Sequence, residues 1–238
     1  MKSPTRILFC GLAALLVAGT AQAAFITVSA SAPTVDGADI AVLTGIQGNT
    51  DSEDTLWSNK PSRGQTFTTA SNAAGYDLSA FSFYNNIGWS NPNGAAIDVR
   101  VRNSGGTILL AETGLAPRSN GTWVTAALAS SVHLAPNTTY GIEFQSFTDY
   151  PAAEALGGTW DGFAVAKVDT DYTGGTAYTT PNGTPITGPM TAETFDRAFH
   201  VNLTASSEVS PVPEPSSMLG LGCLVGAGAL LRTRRRNG

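Results

Sequence analysis

Residues 97–102 read Ile97-Asp98-Val99-Arg100-Val101-Arg102, a strict alternation of apolar and charged side chains. Only an extended strand puts every second residue on one face, so this stretch predicts an antiparallel strand, half-buried, with its charged face outward. Asn103-Ser104-Gly105-Gly106 follows, a run of residues that accept turn geometry, and then a second apolar stretch, 107–112. The combination predicts a hairpin.

The same grammar recurs along the chain. Short segments rich in Thr, Val, Ile and Phe are separated by Gly, Asn, Pro and Asp clusters, and the spacing predicts strands over 25–30, 64–69, 78–84, 97–103, 108–112, 122–128, 139–147, 163–168 and 195–204. No segment in this region has helical period. Strands at intervals of ten to fifteen residues predict an all-β fold, an antiparallel β-sandwich of jelly-roll type. Three segments, 63–69, 78–83 and 134–142, resemble the choice-of-anchor β-sandwich domains of bacterial surface proteins. That resemblance implies the fold and a surface setting, and carries no catalytic residue.

Both ends of the chain depart from this pattern. Lys2 and Arg6 precede an apolar run, 7–18, which leads to Ala21-Gln22-Ala23. This is the layout of a signal peptide helix cut after Ala23, with Ala21 and Ala23 as its small cleavage-site residues, and it implies passage through the secretory translocon. At the other end Val212-Pro213-Glu214-Pro215 precedes a glycine- and leucine-rich stretch, 216–231, and then Arg232, Arg234, Arg235 and Arg236. Pro-Glu-Pro resists regular structure, the apolar run can enter lipid as a helix, and the arginines stop at an anionic cytoplasmic surface. The three parts together resemble the PEP-CTERM sorting signal of exopolysaccharide-producing bacteria. The resemblance implies recognition by an exosortase-type transpeptidase, with cleavage near the motif. Read from its residues alone, 216–231 is also a single transmembrane helix with a positive-inside flank. Its roughly 16 residues cover only about 24 Å at 1.5 Å each, short of the hydrocarbon core.

The organisation that follows is a signal peptide over 1–23, a β-sandwich domain over 24–205, a linker over 206–212 and a sorting or anchor segment over 213–238. The only cysteines, Cys10 and Cys223, lie in the terminal segments. The exported part therefore has no disulfide and no thiol chemistry. Six of the 13 basic residues also lie in those segments, leaving seven against 18 acidic groups and a net of −11 between Arg6 and Arg232. Such a balance disfavours nucleic acid as a partner.

Candidate chemistry is sparse. His133 and His200 each sit in strand-like surroundings and no G-x-S-x-G elbow accompanies them, so no hydrolase is expected. Asp169-Thr170-Asp171-Tyr172-Thr173-Gly174 matches the opening of a calcium loop, but Thr180 stands where such a loop needs its bidentate carboxylate. Asp51-Ser52-Glu53-Asp54 reads as a solvated loop. No metal or other cofactor is expected. Of the four tryptophans, Trp123 lies in a strand and is expected in the core, while Trp89 sits in a polar loop suited to stacking on a sugar. A glycan-active enzyme would need carboxylates facing each other across a cleft, and strand periodicity does not place Glu112, Glu143 or Asp161 in such a relation. The reading is a non-enzymatic, exported protein of the cell surface or extracellular matrix, structural or adhesive in a biofilm and in contact with extracellular polysaccharide. The alternatives are a carbohydrate-binding module and, third, an envelope glycan-active enzyme.

Overall fold

The computed structural model describes residues 23–47, 61–85, 95–117, 120–146, 164–169, 171–181 and 188–207. Thirteen strands run through them: β1 (Phe25–Ser29), β2 (Ile40–Val42), β3 (Arg63–Thr68), β4 (Tyr76–Asn85), β5 (Ala95–Asn103), β6 (Ile108–Ala116), β7 (Thr122–Leu134), β8 (Thr139–Ser146), β9 (Lys167–Val168), β10 (Ala177–Thr179), β11 (Thr191–Ala192), β12 (Asp196–Arg197) and β13 (Phe199–Ala205). One sheet has the order β1-β7-β4-β13-β2 and the other β11-β10-β3-β8-β5-β6, with β12-β9 as a small third pair. All of these strand pairs are antiparallel. The two expected flanking helices lie outside the described residues, as do the tail motif and arginine cluster. Among the described residues no helix is long and apolar enough to cross a membrane.

The sheets pack face to face through their aromatic rows. Phe81 and Phe83 of β4 meet Phe144 of β8 at ring-centroid distances of 5.1 and 5.2 Å. Phe199, Val201, Leu203, Val124 and Ala126 extend the small sheet's inner face, and Ile97, Val99, Val101 and Ile142 the large sheet's. Each fully buried Phe, Ile or Val contributes about 1.5–3 kcal/mol, so this layer is the principal source of stability among the described residues, which include no cysteine.

One flank of the sandwich is closed by β1 meeting β6. The Ala24 amide donates to the Thr113 carbonyl at 3.1 Å, and Ala23 bridges Thr113 in parallel sense. Gly114 makes this approach possible, because a Cβ there would lie 2.6 Å from Ile26 Cγ1 and 2.8 Å from the Ala24 carbonyl oxygen. The parallel contact also fixes which ends of the two sheets coincide. At one end, called here the turn end, lie the short connections 69–75, 104–107 and 135–138, and β13 delivers the chain there at Ala205, opposite Tyr76. At the far end β4 finishes at Asn85, β6 at Ala116 and β8 at Ser146, while β3, β5 and β7 begin.

The expected hairpin is present as β5 and β6, with Asn103–Thr107 bonded across the turn and β6 continuing to Ala116. Three departures have local causes. β7 runs six residues past its expected end at Leu128, because the Ala/Ser-rich stretch 128–131 bulges out of register with β4 and then rejoins it at Val132. β2, β10 and β11, two or three residues each, are too short to show any period. The expected strand 195–204 is two strands: Ala198 bonds Ala166 and Tyr84 through its backbone and turns the chain from the β9–β12 pair into the five-stranded sheet.

Candidate functional site

The most concentrated polar chemistry lies on the outer face of the large sheet, where the alternation in β5 places Asp98, Arg100 and Arg102. The sequence reading put this charged face in solvent. The structure corrects that: Arg100 is 7% and Arg102 0% exposed. Burial is sustained because β8, the neighbouring strand, brings Glu143 and Gln145 opposite Arg100 and Asp98 on the same face. Arg100 donates to Glu143 (3.3 Å), Gln145 and Asp98. Arg102 donates to Glu143 at 2.9 Å and to the Gly106 carbonyl at 2.7 Å. The second Glu143 oxygen accepts from Ser62 at 3.1 Å, and Ser62 shares a 2.7 Å hydrogen bond with Thr180. Glu143, Gln145, Ser62 and Thr180 are all buried.

Tyr178 completes the layer. Its ring fills the trough left by the missing side chain of Gly64, where a Cβ would fall 2.3 Å from the ring. Burial, reinforced by the Glu143 carboxylate, raises the Tyr178 pKa well above the ordinary phenol value. Asp98 sits nearer the rim, and burial lifts its carboxyl to about 6 against the opposing pull of Arg100, with Glu143 raising it further.

Chemically this network is inward-looking. Both Glu143 oxygens and both guanidinium groups are engaged with one another or with Ser62, Gln145, Asp98 and Gly106. A general acid or nucleophile needs a carboxyl free to face a substrate; here Glu143 is held between two arginines. Glu112 lies on the opposite face from Glu143 and accepts the Ala129 amide with both oxygens, at 3.2 and 3.1 Å. That contact satisfies a backbone group freed by the β7 bulge. Asp161 lies outside the described residues.

A second polar group lies where β3 meets β12. Gln65 donates to Asp196 at 2.8 Å and accepts the Arg197 amide at 2.9 Å, while Asp196 accepts the Tyr172 amide at 2.7 Å. Arg197 is fully buried and its guanidinium stands 5.1 Å from the Phe195 ring centre. This arrangement pins the 171–176 segment to the sheet. Asp169 and Asp171, the candidate calcium ligands, are both exposed. Among the described residues no three His, Cys, Asp or Glu side chains are grouped to hold a metal ion.

The histidines take structural places. His200 Nε2 lies 3.0 Å from Asp39 Oδ2, both side chains nearly buried, and the other Asp39 oxygen accepts the Leu203 amide at 2.8 Å. His133, exposed, lies 3.2 Å from Asp77 through Nδ1, with the Ser206 hydroxyl 2.9 Å from Asp77 and 3.4 Å from the same Nδ1. A catalytic triad uses opposite ring nitrogens for the serine and the carboxylate, whereas here both compete for one. The cluster instead ties down the chain as it leaves β13: the Ser206 amide donates to the Gly75 carbonyl, and Asn72 Nδ2 donates to the Ser206 carbonyl, each at 3.0 Å. The Ser206 hydrogen bond, followed by that from His133, lowers the Asp77 pKa.

Trp123 is buried, but on the other side of the small sheet from the main core. It packs edge-on to Tyr84 at 5.5 Å and anchors a separate cluster with Ala166, Val168 and Ala198. Trp57, Trp89 and Trp160 lie outside the described residues, with Asp51, Glu53 and Asp54, and with the terminal residues Ala21, Val212, Pro213, Glu214, Pro215, Arg232, Arg234, Arg235 and Arg236. An open cleft of about 480 Å³ at the turn end is lined by Gly105, Gly106, Thr107, Ile108, Gly188 and Pro189, none of them titratable.

No signal in one strand foretold the buried layer, since Glu143, Ser62 and Thr180 are distant in sequence from β5. The even spacing of Glu143 and Gln145 in β8 was the one available hint. No family model matches the chain, and no curated protein matches it.

Proposed function

We propose that this chain is an exported structural or adhesive protein of the cell surface or extracellular matrix. The secretory translocon delivers it, an exosortase-type transpeptidase sorts it at its C-terminal segment, and it works in contact with extracellular polysaccharide. The observation that carries this reading is the order Val212-Pro213-Glu214-Pro215, apolar stretch, arginine cluster, set a few residues beyond β13 in the sequence. The domain is consistent with a scaffold, because its buried charges are spent on one another and its stability rests on apolar layers. We read the sandwich more finely as a jelly roll: β2-β13-β4-β7 stands against β3-β8-β5-β6, and the chain changes sheet at β2–β3, β3–β4, β4–β5, β6–β7 and β7–β8.

The test is the intact mass of the protein recovered from envelope and culture medium, with and without alanine at Pro213, Glu214 and Pro215. A mass ending near the motif, replaced by one retaining the whole tail when the motif is altered, supports sorting. The whole tail in both leaves a plain membrane anchor and removes the transpeptidase.

A further inference from the structure

The peptide bond between Ala23 and Ala24, where a leader over 1–23 would be cut, is itself part of the folded sandwich. The N–H of that bond is the Ala24 amide, which donates to the Thr113 carbonyl of β6 at 3.1 Å, while Ala23 bridges Thr113 in parallel sense. The chain then passes directly into β1, where Phe25 and Ile26 pair with Ala127 and Ala126 of β7. Ala24 is 6% and Ile26 7% exposed, and both belong to the main core. The bond is therefore held by both sheets at once. A peptidase takes the residues around its scissile bond as a free extended segment, so in the folded domain this bond is cut only when the flank opens.

The partners that close the flank come late in the chain. β6 begins at Ile108 and β7 at Thr122, so in a chain exported amino end first the bond is free until both have followed. We propose that the cut after Ala23 is made in that interval, that closure of the β1–β6 flank ends it, and that the new amino terminus, the Ala24 ammonium, then clasps the flank shut on the Thr113 carbonyl. This rests on the reading of 1–23 as a leader removed after Ala23.

The cut leaves the clasp its donor. Hydrolysis adds water across the bond, giving a carboxylate on Ala23 and an ammonium on Ala24. The nitrogen keeps N–H groups to donate to Thr113, and its positive charge strengthens the hydrogen bond to the carbonyl. The space for this approach comes from Gly114: a Cβ there would lie 2.6 Å from Ile26 Cγ1 and 2.8 Å from the Ala24 carbonyl oxygen, so any side chain at 114 pushes β1 away from β6. The mature terminus is thus a structural group, shielded from acylation, and the leader is removed once, before the flank exists.

The first measurement is the mass of the amino-terminal peptide of the protein recovered from the cell envelope. A first residue other than Ala24 overturns the leader reading at this bond, and the proposal with it. With Ala24 first, acetylation of its α-amine by acetic anhydride is followed by mass, in native buffer and in concentrated urea. Native labelling is expected to be at least about tenfold slower, in proportion to the small open fraction; equal rates overturn the clasp and leave the cut intact. In a Gly114→Ala chain that keeps the tryptophan emission of the folded parent, this protection should be lost; undiminished protection there also overturns the clasp. The order of events is read in cells depleted of the leader-cleaving peptidase, which accumulate uncut chain. When the peptidase is restored, the accumulated parent chain is expected to convert at least about tenfold more slowly than newly made chain. Equal conversion shows that the folded flank does not hide the bond, and overturns the order.

Discussion

Replacing Glu143 with glutamine tests whether the charged face of β5 is a buried network or a solvated surface. Glu143 is fully buried and pairs with Arg102, which also donates to the Gly106 carbonyl. Arg100 keeps Asp98 and Gln145 after the change, but Arg102, at 0% exposure, loses the Glu143 charge. Breaking a buried pair on one side costs about 3–5 kcal/mol, because the remaining ion has lost both water and partner. For a domain of this size that corresponds to a fall in Tm of roughly 6–20 °C, a large part of the 5–15 kcal/mol typical of a native fold. Urea and thermal unfolding of the purified protein, followed by tryptophan fluorescence, measure it. The double variant Glu143→Met with Arg102→Met should recover most of the loss, because neither charge is then stranded. A change below about 1 kcal/mol for Glu143→Gln, the range of an exposed ion pair, refutes the network and restores a solvated face.

Asp98 should give the network a pH signature. Its carboxyl titrates at about 6 in the folded chain against an ordinary 3.8, so the folded state holds this proton where the unfolded state has released it. Its contribution therefore favours folding below pH 4, declines as pH rises to 6 and is absent above, a change of up to about 3 kcal/mol. Urea midpoints from pH 4 to 7.5 should show Asp98→Asn matching the parent at the acid end and exceeding it above pH 6; a constant difference across the range contradicts the burial argument. Gly64→Ala should destabilise the domain by several kcal/mol, since the new methyl meets the Tyr178 ring at 2.3 Å and the Ile142 carbonyl at 2.7 Å; an unchanged Tm would show that the ring can move aside. Trp123→Ala should cost about 3–5 kcal/mol although it lies outside the main core, and a loss under 1 kcal/mol would mean the outer cluster adds little to folding.

Several elements were legible because their information is local. The alternation of 97–102, the Asn-Ser-Gly-Gly turn and the apolar stretch after it specify a hairpin wherever they occur, since period-two patterning has no other compact solution. β4, β8 and β13 announced themselves through Phe81 and Phe83, Ile142 and Phe144, and Phe199 and Val201 in the same way. The strands that went unseen, β2, β10 and β11, carry too few residues for a period to exist, and the Ala/Ser bulge in β7 interrupts alternation although the strand continues.

The sequence by itself determined the all-β class, the main hairpin, the cysteine-free domain and the composition of its two ends. Tertiary structure alone decided which face of each strand met what. Asp98, Arg100 and Arg102 look like a solvent face until β8 lays Glu143 and Gln145 beside them, Tyr178 joins from β10, and Ser62 and Thr180 join from just before β3 and just after β10. Trp123 reads as core and is buried, but only the pairing of β7 with β4 decides that it joins the smaller cluster on the opposite side of the sheet, against Tyr84. The physical reason is the same in both cases. Periodicity sorts side chains into two faces, whereas the environment of a face is set by residues far away in the chain, which only folding brings near.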